Sequence, residues 1–298
     1  KHLFFVFLGI IIIFIFSLIS KEKLFQFSPI IFLITLISLL LVPIIGVEVN
    51  SAKRWIDLYL LPRFQPIELV KPFLIIFISV ILSSQKYTNI YIKYLFSFLI
   101  TLAVALLLTA QPDIGQTLLV FFSWSILIFT SGISIIFLMI LFLSIFFVFS
   151  YLIFFVSKFA YIKNRLLSFL DKEAGTHNFQ SDKAIESITS GGFFGKGIGE
   201  GVLKNRVPEA HTDYIISVIS EEFGVVAIML ILLLFLILIY MVFKKIRFET
   251  NDKVKLILIG SISLILMQAT IHIGVNIRLF PTTGMTLPFL SYGGSSII

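Results

Sequence analysis

The sequence contains no cysteine and few charged residues. The absence of Cys among its 298 residues excludes disulfide bonds and thiolate metal sites. Only 13% of the residues are charged, 58% are hydrophobic and the mean hydropathy is +1.08. A soluble domain has a charged fraction of roughly 25%. The formal charge of +7 needs no nucleic acid to explain it, because basic loops are common beside lipid. The composition therefore predicts an integral membrane protein.

Long apolar runs recur along the whole chain. A membrane-spanning helix needs roughly 20 mostly apolar residues, and no period-two alternation extends over the sequence, which favours helices over strands. We therefore expect an all-α, polytopic transmembrane bundle in a single domain, residues 1–298, with further helices beyond both ends. The expected spans are 3–19, 30–47, 67–84, 94–110, 114–131, 134–156, 214–243 and 256–275, and a ninth begins near Ser291.

The distribution of Lys and Arg between short connections predicts the orientation. Basic residues are more frequent in the connections at 20–29, 85–93 and 244–255 than in the opposite set, so the former are expected in the cytoplasm. Polar segments then collect on the outer face. These segments are 48–66, 111–113, the long extracytoplasmic loop 157–212 and 276–290.

The first polar motif runs from Ser51 to Pro72, "SAKRWIDLYLLPRFQPIELVKP". Pro66 suits the first turn of a helix, and Glu68 and Lys71 are three residues apart, hence neighbours on one helical face. Two interpretations remain open. The motif is either an interfacial Trp with a local ion pair, or a basic floor for an anionic lipid headgroup, since the Arg fork bonds two phosphate oxygens at once.

Two further motifs occupy turns. In "QPDIGQT", Asp113 precedes a helix and Gln116 follows three residues later, which is a capping-box pattern. A buried carboxylate that lines a site is the alternative. The stretch "SGGFFGKGIGEG" around Lys196 matches neither the Walker pattern nor GxGxxG. Its glycines are expected to permit tight turns, with a phosphate-binding nest as the alternative.

The stretch "VPEAHTDYIISVISEEFG" carries the most titratable groups. Asp213, Ser217, Ser220 and Glu221 have the spacing of one helical face. The 19 residues of 225–243 are long enough to span a membrane alone, so 213–222 is expected to extend the helix by about 15 Å. The polar face must meet water, another polar wall or a substrate. It is either a solvated extension or it places a carboxylate that takes a proton from a substrate hydroxyl.

A second helix carries Gln268, His272 and Asn276 on one face, which is expected to point into the bundle or a cavity. The small residues at 293–296 suit close helix packing. No HExxH or comparable spacing relates the four histidines, which gives a zinc site little support.

The motifs "RWIDL", "RFQPIELVK", "QPDIGQT", "SGGFFGKGIGEG", "PEAHTDYI", "EEFG" and "LPFLSYGGSS" occur in the order of one bacterial membrane-protein family. Over nearly its whole length, the chain resembles the SEDS family (shape, elongation, division and sporulation). It is more similar to the division members than to the elongation members. The resemblance implies ten transmembrane helices with both termini in the cytoplasm, of which this chain has the second to part of the tenth.

The resemblance also implies an activity. Family members are peptidoglycan glycosyltransferases of the bacterial cytoplasmic (inner) membrane that polymerise lipid II, with a lipid-linked glycan as donor, on the outer side. They work with a class B penicillin-binding protein, a transpeptidase, and with other division proteins. A lipid II flippase and a non-catalytic division scaffold are the alternatives from other functional classes.

The family motif implies Asp213 as the catalytic carboxylate, and the family's other important polar positions match Arg54, Glu68, Lys71 and Asp113. Ile67 departs from the family pattern, which often has Ser there. A divalent cation, Mg²⁺ or Mn²⁺, is left open as help for the pyrophosphate leaving group. The residues predicted to bind substrate are Arg54, Trp55, Arg63, Gln65, Glu68, Lys71, Asp113, Lys196, Lys204, Arg206 and His211.

Overall fold

The computed structural model describes residues 2–49, 52–57, 63–85, 89–170, 179–202 and 207–297, and most of them are helical. The helices are α1 (His2–Leu18), α2 (Lys21–Ile45), α3 (Pro66–Leu82), α4 (Ile90–Ala110), α5 (Ile114–Thr130), α6 (Ile135–Phe155), α7 (Ala160–Leu170), α8 (Phe179–Gly191), α9 (Ile215–Phe248), α10 (Asp252–Asn276) and α11 (Gly294–Ile297). A 3₁₀ turn, Ser157–Phe159, joins α6 to α7.

The all-α, multi-pass prediction is confirmed. Of the helices formed by the described residues, five are both long and apolar enough to cross a membrane: α2, α4, α6, α9 and α10. Helices α1 and α5 are apolar but shorter. The two largest errors in the predicted bounds are at α2, which begins at Lys21 rather than 30, and at α9, which continues to Phe248 rather than ending at 243. Charged residues at helix ends caused both errors, since a hydropathy run stops where a helix can continue into the headgroup region.

In the described part of the chain, four short elements lie where the sequence predicted only loops. Strands β1 (Val47–Val49) and β2 (Ala52–Trp55) form an antiparallel pair, which a bridge between Ile56 and Phe64 extends. Helices α7 and α8 lie within the long loop 157–212. Strands of three or four residues are too short to give a period-two signal, and both helices are amphipathic rather than apolar.

The chain divides into two compact units. Unit 1 comprises Lys1–Ser131, Leu238–Ala269 and Pro288–Ile298, and α2 to α5 form much of its interior. Its packing is close where α10 meets α3 and α5. A Cβ on Gly260 would lie 2.6 Å from the Ile75 side chain and 3.0 Å from the Leu127 side chain, so a larger residue there would force these side chains to move.

Unit 2 comprises Gly132–Ile237 and Thr270–Leu287. Its core joins α8, the start of α9 and the end of α10 through buried residues, most of them small. These residues are Ala184, Val207, Ala210, Tyr214, Val218 and Val275.

Within unit 2, α9 is interrupted at Gly224, whose φ of 76° is not helical. The interruption frees backbone groups that would otherwise pair within the helix. Residues 192–202, the glycine loop, satisfy them. The N–H groups of Lys196 and Gly197 donate to the carbonyls of Glu221 and Glu222, and those of Val225 and Val226 donate to the carbonyls of Gly192 and Phe193.

The tight turns expected of the glycine-rich stretch are confirmed. Four glycines of the glycine loop have positive φ: Gly192, Gly195, Gly197 and Gly199. Because the Lys196 and Gly197 N–H groups already bond to α9, these two donors are not directed at a phosphate. The structure therefore favours the turn interpretation over the phosphate nest.

Gly224→Ala is expected to be strongly destabilising. A Cβ there would lie 2.2 Å from the Phe193 carbonyl oxygen, on a backbone with positive φ. Gly192→Ala is the matched control, because its φ of +58° carries the strain of the left-handed region with nothing within 4 Å of the Cβ. The control should lose about 1 kcal/mol and Gly224→Ala clearly more, measured by thermal unfolding in detergent. Equal losses would contradict the close approach of the glycine loop to α9.

Candidate functional site

Unit 1 contains a buried polar network built around Arg54 and Asp113. Strand β2 carries Arg54, and the turn between α4 and α5 carries Asp113. Arg54 Nε lies 3.7 Å from Asp113 Oδ2 and donates to the Gln111 carbonyl at 3.2 Å, while Arg54 Nη2 donates to the Pro112 carbonyl. Gln65 Nε2 donates to the same Asp113 oxygen at 3.2 Å. Strand and turn are thus joined by one guanidinium.

Asp113 is both a helix cap and a buried carboxylate, while its place in a substrate site stays a prediction. As the N-cap of α5, its Oδ1 accepts the Gln116 N–H at 3.4 Å. It is also a buried carboxylate, 3% exposed. Burial raises the pKa of Asp113, and the Arg54 guanidinium opposes this without cancelling it. Arg54 is thus the largest of the influences that favour the charged form of Asp113.

The first turns of α3 supply the other half of the network. Lys71 Nζ lies 2.7 Å from Glu68 Oε2 and donates to Gln268 Oε1 of α10 at 3.1 Å. Gln116 Nε2 donates to Glu68 Oε1 at 3.0 Å. The ion pair predicted from the i,i+3 spacing is confirmed, and it is buried, with Lys71 only 2% exposed.

Gln116 connects the two halves, since it bonds both Asp113 and Glu68. The network carries two cations and two carboxylates, so its formal charge is balanced. Its described members are Arg54, Gln65, Glu68, Lys71, Asp113, Gln116 and Gln268. Among the residues the structure describes, Gln116 Oε1 is the one buried side-chain atom of the network without a hydrogen-bond partner.

Two predicted site residues lie near this network but outside it. Trp55 follows Arg54 on β2 and is half-buried, and successive side chains of a strand point to opposite faces. Arg63 is exposed and forms an ion pair with Asp57 at 2.8 Å. Their predicted contact with substrate stays a prediction.

In unit 2, Asp213 lies in the turn that precedes α9, and its side chain is partly exposed. Its backbone is fixed from two sides. Its carbonyl accepts from Asn276 Nδ2 at 3.0 Å, and its N–H donates to the Glu209 carbonyl at 3.0 Å. Asn276, fully buried at the end of α10, also accepts the Ser217 N–H at 3.3 Å. His211 is exposed nearby in sequence.

The polar residues after Asp213 do not face water. Ser217, Ser220 and Glu221 are buried against α8, where Glu221 Oε2 accepts from Ser187 at 3.0 Å. Glu221 Oε1 lies 3.3 Å from Lys196 of the glycine loop. The solvated-extension interpretation was therefore wrong, because α8, missed in the sequence, forms a polar wall. Asp213 also lies in a turn rather than on the predicted helical face, since α9 begins at Ile215.

The polar face of α10 points inward, as predicted, with Gln268, His272 and Asn276 all buried. His272 Nδ1 lies 2.8 Å from the Met285 carbonyl. The links from Gln268 to Lys71 and from Asn276 to Asp213 were not predicted. The intramembrane position of these amides was the available signal, although the sequence did not identify their partners.

Lys204 and Arg206, two cations predicted to contact substrate, lie outside the described residues. Within the described part of the chain, no three His, Asp or Glu side chains are placed together to hold a metal ion. Among the described residues, each carboxylate of the network lies beside a Lys or Arg, and this donor set does not fit a resident divalent cation.

The chain was compared with known proteins. The family described as cell cycle protein, which includes FtsW, RodA and SpoVE, matches residues 1–298. A probable peptidoglycan glycosyltransferase FtsW of Caulobacter vibrioides is 35% identical over 288 residues, which cover 95% of this chain and 71% of the relative. A protein of the same name from Buchnera aphidicola is 32% identical and is covered over 86% of its length by the whole of this chain.

Solved structures give the same result. One match is a chain of a structure described as "Structural coordination of polymerization and crosslinking by a peptidoglycan synthase complex". The TM-score is 0.83 and the sequence identity 27%, over 99% of this chain and 83% of that one. The rod shape determining protein RodA of Thermus thermophilus matches with a TM-score of 0.70 and 28% identity, over 99% and 81% of the two chains. The chain therefore belongs to the FtsW, RodA and SpoVE family of cell cycle proteins, the SEDS family that its motifs resemble.

Proposed function

We propose that the protein polymerises lipid II into peptidoglycan glycan strands at the outer face of the bacterial cytoplasmic membrane, for the septal wall at division. The curated relatives carry the name peptidoglycan glycosyltransferase FtsW. The structural observation that supports the proposal most is the placement of Asp213. Its backbone is held by Asn276 and Glu209, in a turn where the residue remains partly exposed.

In the proposed reaction, the Asp213 carboxylate is the general base. It takes the proton of the 4-hydroxyl of a lipid II acceptor, and that oxygen attacks the anomeric carbon of the lipid-linked donor glycan. A new C–O bond forms as the bond to the pyrophosphate breaks, and the electron pair leaves with the lipid pyrophosphate. Attack from the opposite face inverts the anomeric centre, through a transition state with oxocarbenium character.

The leaving pyrophosphate concentrates negative charge, so fixed cations beside it lower the barrier. Arg54 is a candidate because its side chain is 20% exposed. Lys71 is buried and engaged by Glu68 and Gln268. Its geometry favours a positioning role, in which it fixes α3 against α10, over direct contact with a headgroup. Lys204, Arg206, Lys196 and His211 remain proposed contacts.

The partner we propose is a class B penicillin-binding protein, which would cross-link the strands as they form. The match to a chain of a peptidoglycan synthase complex supports this pairing. The sequence supports polymerisation over transport of the headgroup, because α1 and α6 contain no charged residue along Leu3–Leu18 and Ile135–Phe155.

The proposal can be tested in liposomes that contain the protein and fluorescent lipid II. Polymerisation is read by gel electrophoresis of the glycan, and transport by the accessibility of the labelled headgroup to a membrane-impermeant quencher. We expect glycan strands without an increase in headgroup transfer between leaflets. Headgroup transfer without glycan would instead identify a flippase. If both signals are absent even with the partner present, the protein is a non-catalytic scaffold.

A further inference from the structure

The glycine loop carries Lys196, a proposed substrate contact, and it also exposes a set of large apolar side chains to which no role has been assigned. Phe193 is 74% exposed, Phe194 84% and Ile198 79%. Val202 at the end of the loop is also exposed. Several large apolar side chains exposed on one short loop are typical of a segment that contacts a protein or lipid.

Hydrogen bonds relate this loop to the start of a membrane span. The N–H groups of Val225 and Val226 donate to the carbonyls of Gly192 and Phe193 at 3.0 and 3.3 Å. From Val225 the chain has 19 apolar residues, up to Phe243. As a helix this run is about 28 Å long, close to the roughly 30 Å of bilayer hydrocarbon. Val225 therefore lies near the hydrocarbon boundary. Because the Phe193 carbonyl accepts the Val226 N–H, Phe193 lies near the same boundary.

Charged groups lie in and beside the same loop, and two of them, Glu221 and Glu222, precede the apolar run of α9. Lys196 is partly exposed and pairs with Glu221. Glu200 is exposed, and the Glu222 side chain accepts the Gly199 N–H at 3.2 Å. A rim of mixed charge beside exposed aromatic residues is the arrangement of an interfacial anchor. Two carboxylates in that rim favour apolar insertion over attraction to anionic lipids.

We infer that the glycine loop is a membrane anchor, which inserts Phe193, Phe194 and Ile198 into the outer edge of the bilayer hydrocarbon beside α9. The occupant of this surface is lipid, because the loop is hydrogen-bonded to Val225 and Val226, which are themselves exposed apolar residues at the start of the span. The buried Glu221 and the Gly224 break fix the loop at that depth. The inference does not rest on the proposed chemistry, and its test does not involve lipid II.

The absence of cysteine makes the test direct, since a single Cys gives a unique spin-label site. Phe194→Cys would be labelled in the full chain and reconstituted at a high lipid-to-protein ratio. Electron paramagnetic resonance power saturation then compares collisions with oxygen, which concentrates in hydrocarbon, and with a water-soluble nickel chelate. Val226→Cys is the hydrocarbon reference. Glu186→Cys, on an exposed position of α8, is the aqueous reference.

We expect the label at Phe194 to favour oxygen over the nickel chelate, as at Val226, and the label at Glu200→Cys in the same loop to show an intermediate ratio. Nickel accessibility equal to that at Glu186 would place the loop in water and overturn the inference. Protection from both reagents would overturn it equally, because protein, from a second copy or a partner, would then cover the surface.

Discussion

Replacing Asp213 with asparagine is expected to lower the rate of lipid II polymerisation by about 10²–10⁴-fold, the usual contribution of a general base. Asn keeps the size of the side chain and leaves the backbone bonds to Asn276 and Glu209 in place. The variant should therefore insert in the membrane and unfold at the temperature of the wild type. Initial rates of glycan formation, measured with saturating lipid II, give the comparison.

Glu209→Gln is the matched control, because it removes a carboxylate four residues from Asp213. Glu209 is exposed, and its carboxylate accepts a hydrogen bond from Thr212 Oγ1 at 3.1 Å. The side-chain oxygen of Gln can still accept this bond. Its polymerisation rate should remain close to that of the wild type. Near-normal polymerisation by Asp213→Asn would refute the assignment of the base, and an equal loss in Glu209→Gln would show only sensitivity to local charge.

Lys71→Met is expected to cause the largest loss of stability. It removes the cation 2.7 Å from Glu68 and leaves that carboxylate in a site where its own side chain is 9% exposed. Removing one partner of a buried ion pair costs about 3–5 kcal/mol. The Gln268 side chain would also lose the lysine donor. Thermal or denaturant unfolding in detergent, compared with wild type, measures the loss.

The double variant Glu68→Gln with Lys71→Met separates charge from packing. Gln at 68 can still accept from Gln116 and leaves no unpaired charge, so it should restore much of the stability lost in Lys71→Met. If Lys71 only positions α3 against α10, the double variant should recover polymerisation along with stability. Restored stability without restored activity would instead indicate that the ammonium itself acts on the substrate. A double variant as unstable as Lys71→Met would contradict the buried pair.

Sequence patterns predicted the structural features in which the interacting residues are close together in the chain. Hydropathy located the spanning helices, and the i,i+3 spacing predicted the Glu68–Lys71 pair. The spacing of Asp113 and Gln116 predicted the cap of α5. In each case the interacting groups lie within one turn of helix, so sequence distance is a good guide to spatial distance.

Contacts between distant segments could not be predicted in this way. Lys71 and Gln268 are 197 residues apart, and no local rule pairs them. The same holds for Asn276 and Asp213, 63 residues apart. Helix α8 was missed because its pattern is amphipathic and short, and without it the burial of Glu221 could not be foreseen.

The case of Asp213 shows where physical reasoning from the sequence stops. Helical spacing placed it on one face with Ser217 and Glu221, but the structure has it in the turn before α9. Resemblance to a family, rather than spacing, distinguished it from Glu209 and Glu222. Its partly exposed side chain and its fixed backbone are properties of the fold, and they give the assignment a physical basis.

The most direct test of the account is the formation of glycan by the purified protein together with a class B penicillin-binding protein whose transpeptidase is inactivated. Labelled lipid II would be supplied, and the length of the product resolved on a gel. We predict long glycan strands with the wild type and unreacted lipid II with Asp213→Asn at equal protein amounts. Strands of the same length and yield from both proteins, or none from the wild type while the two proteins remain bound, would contradict the account.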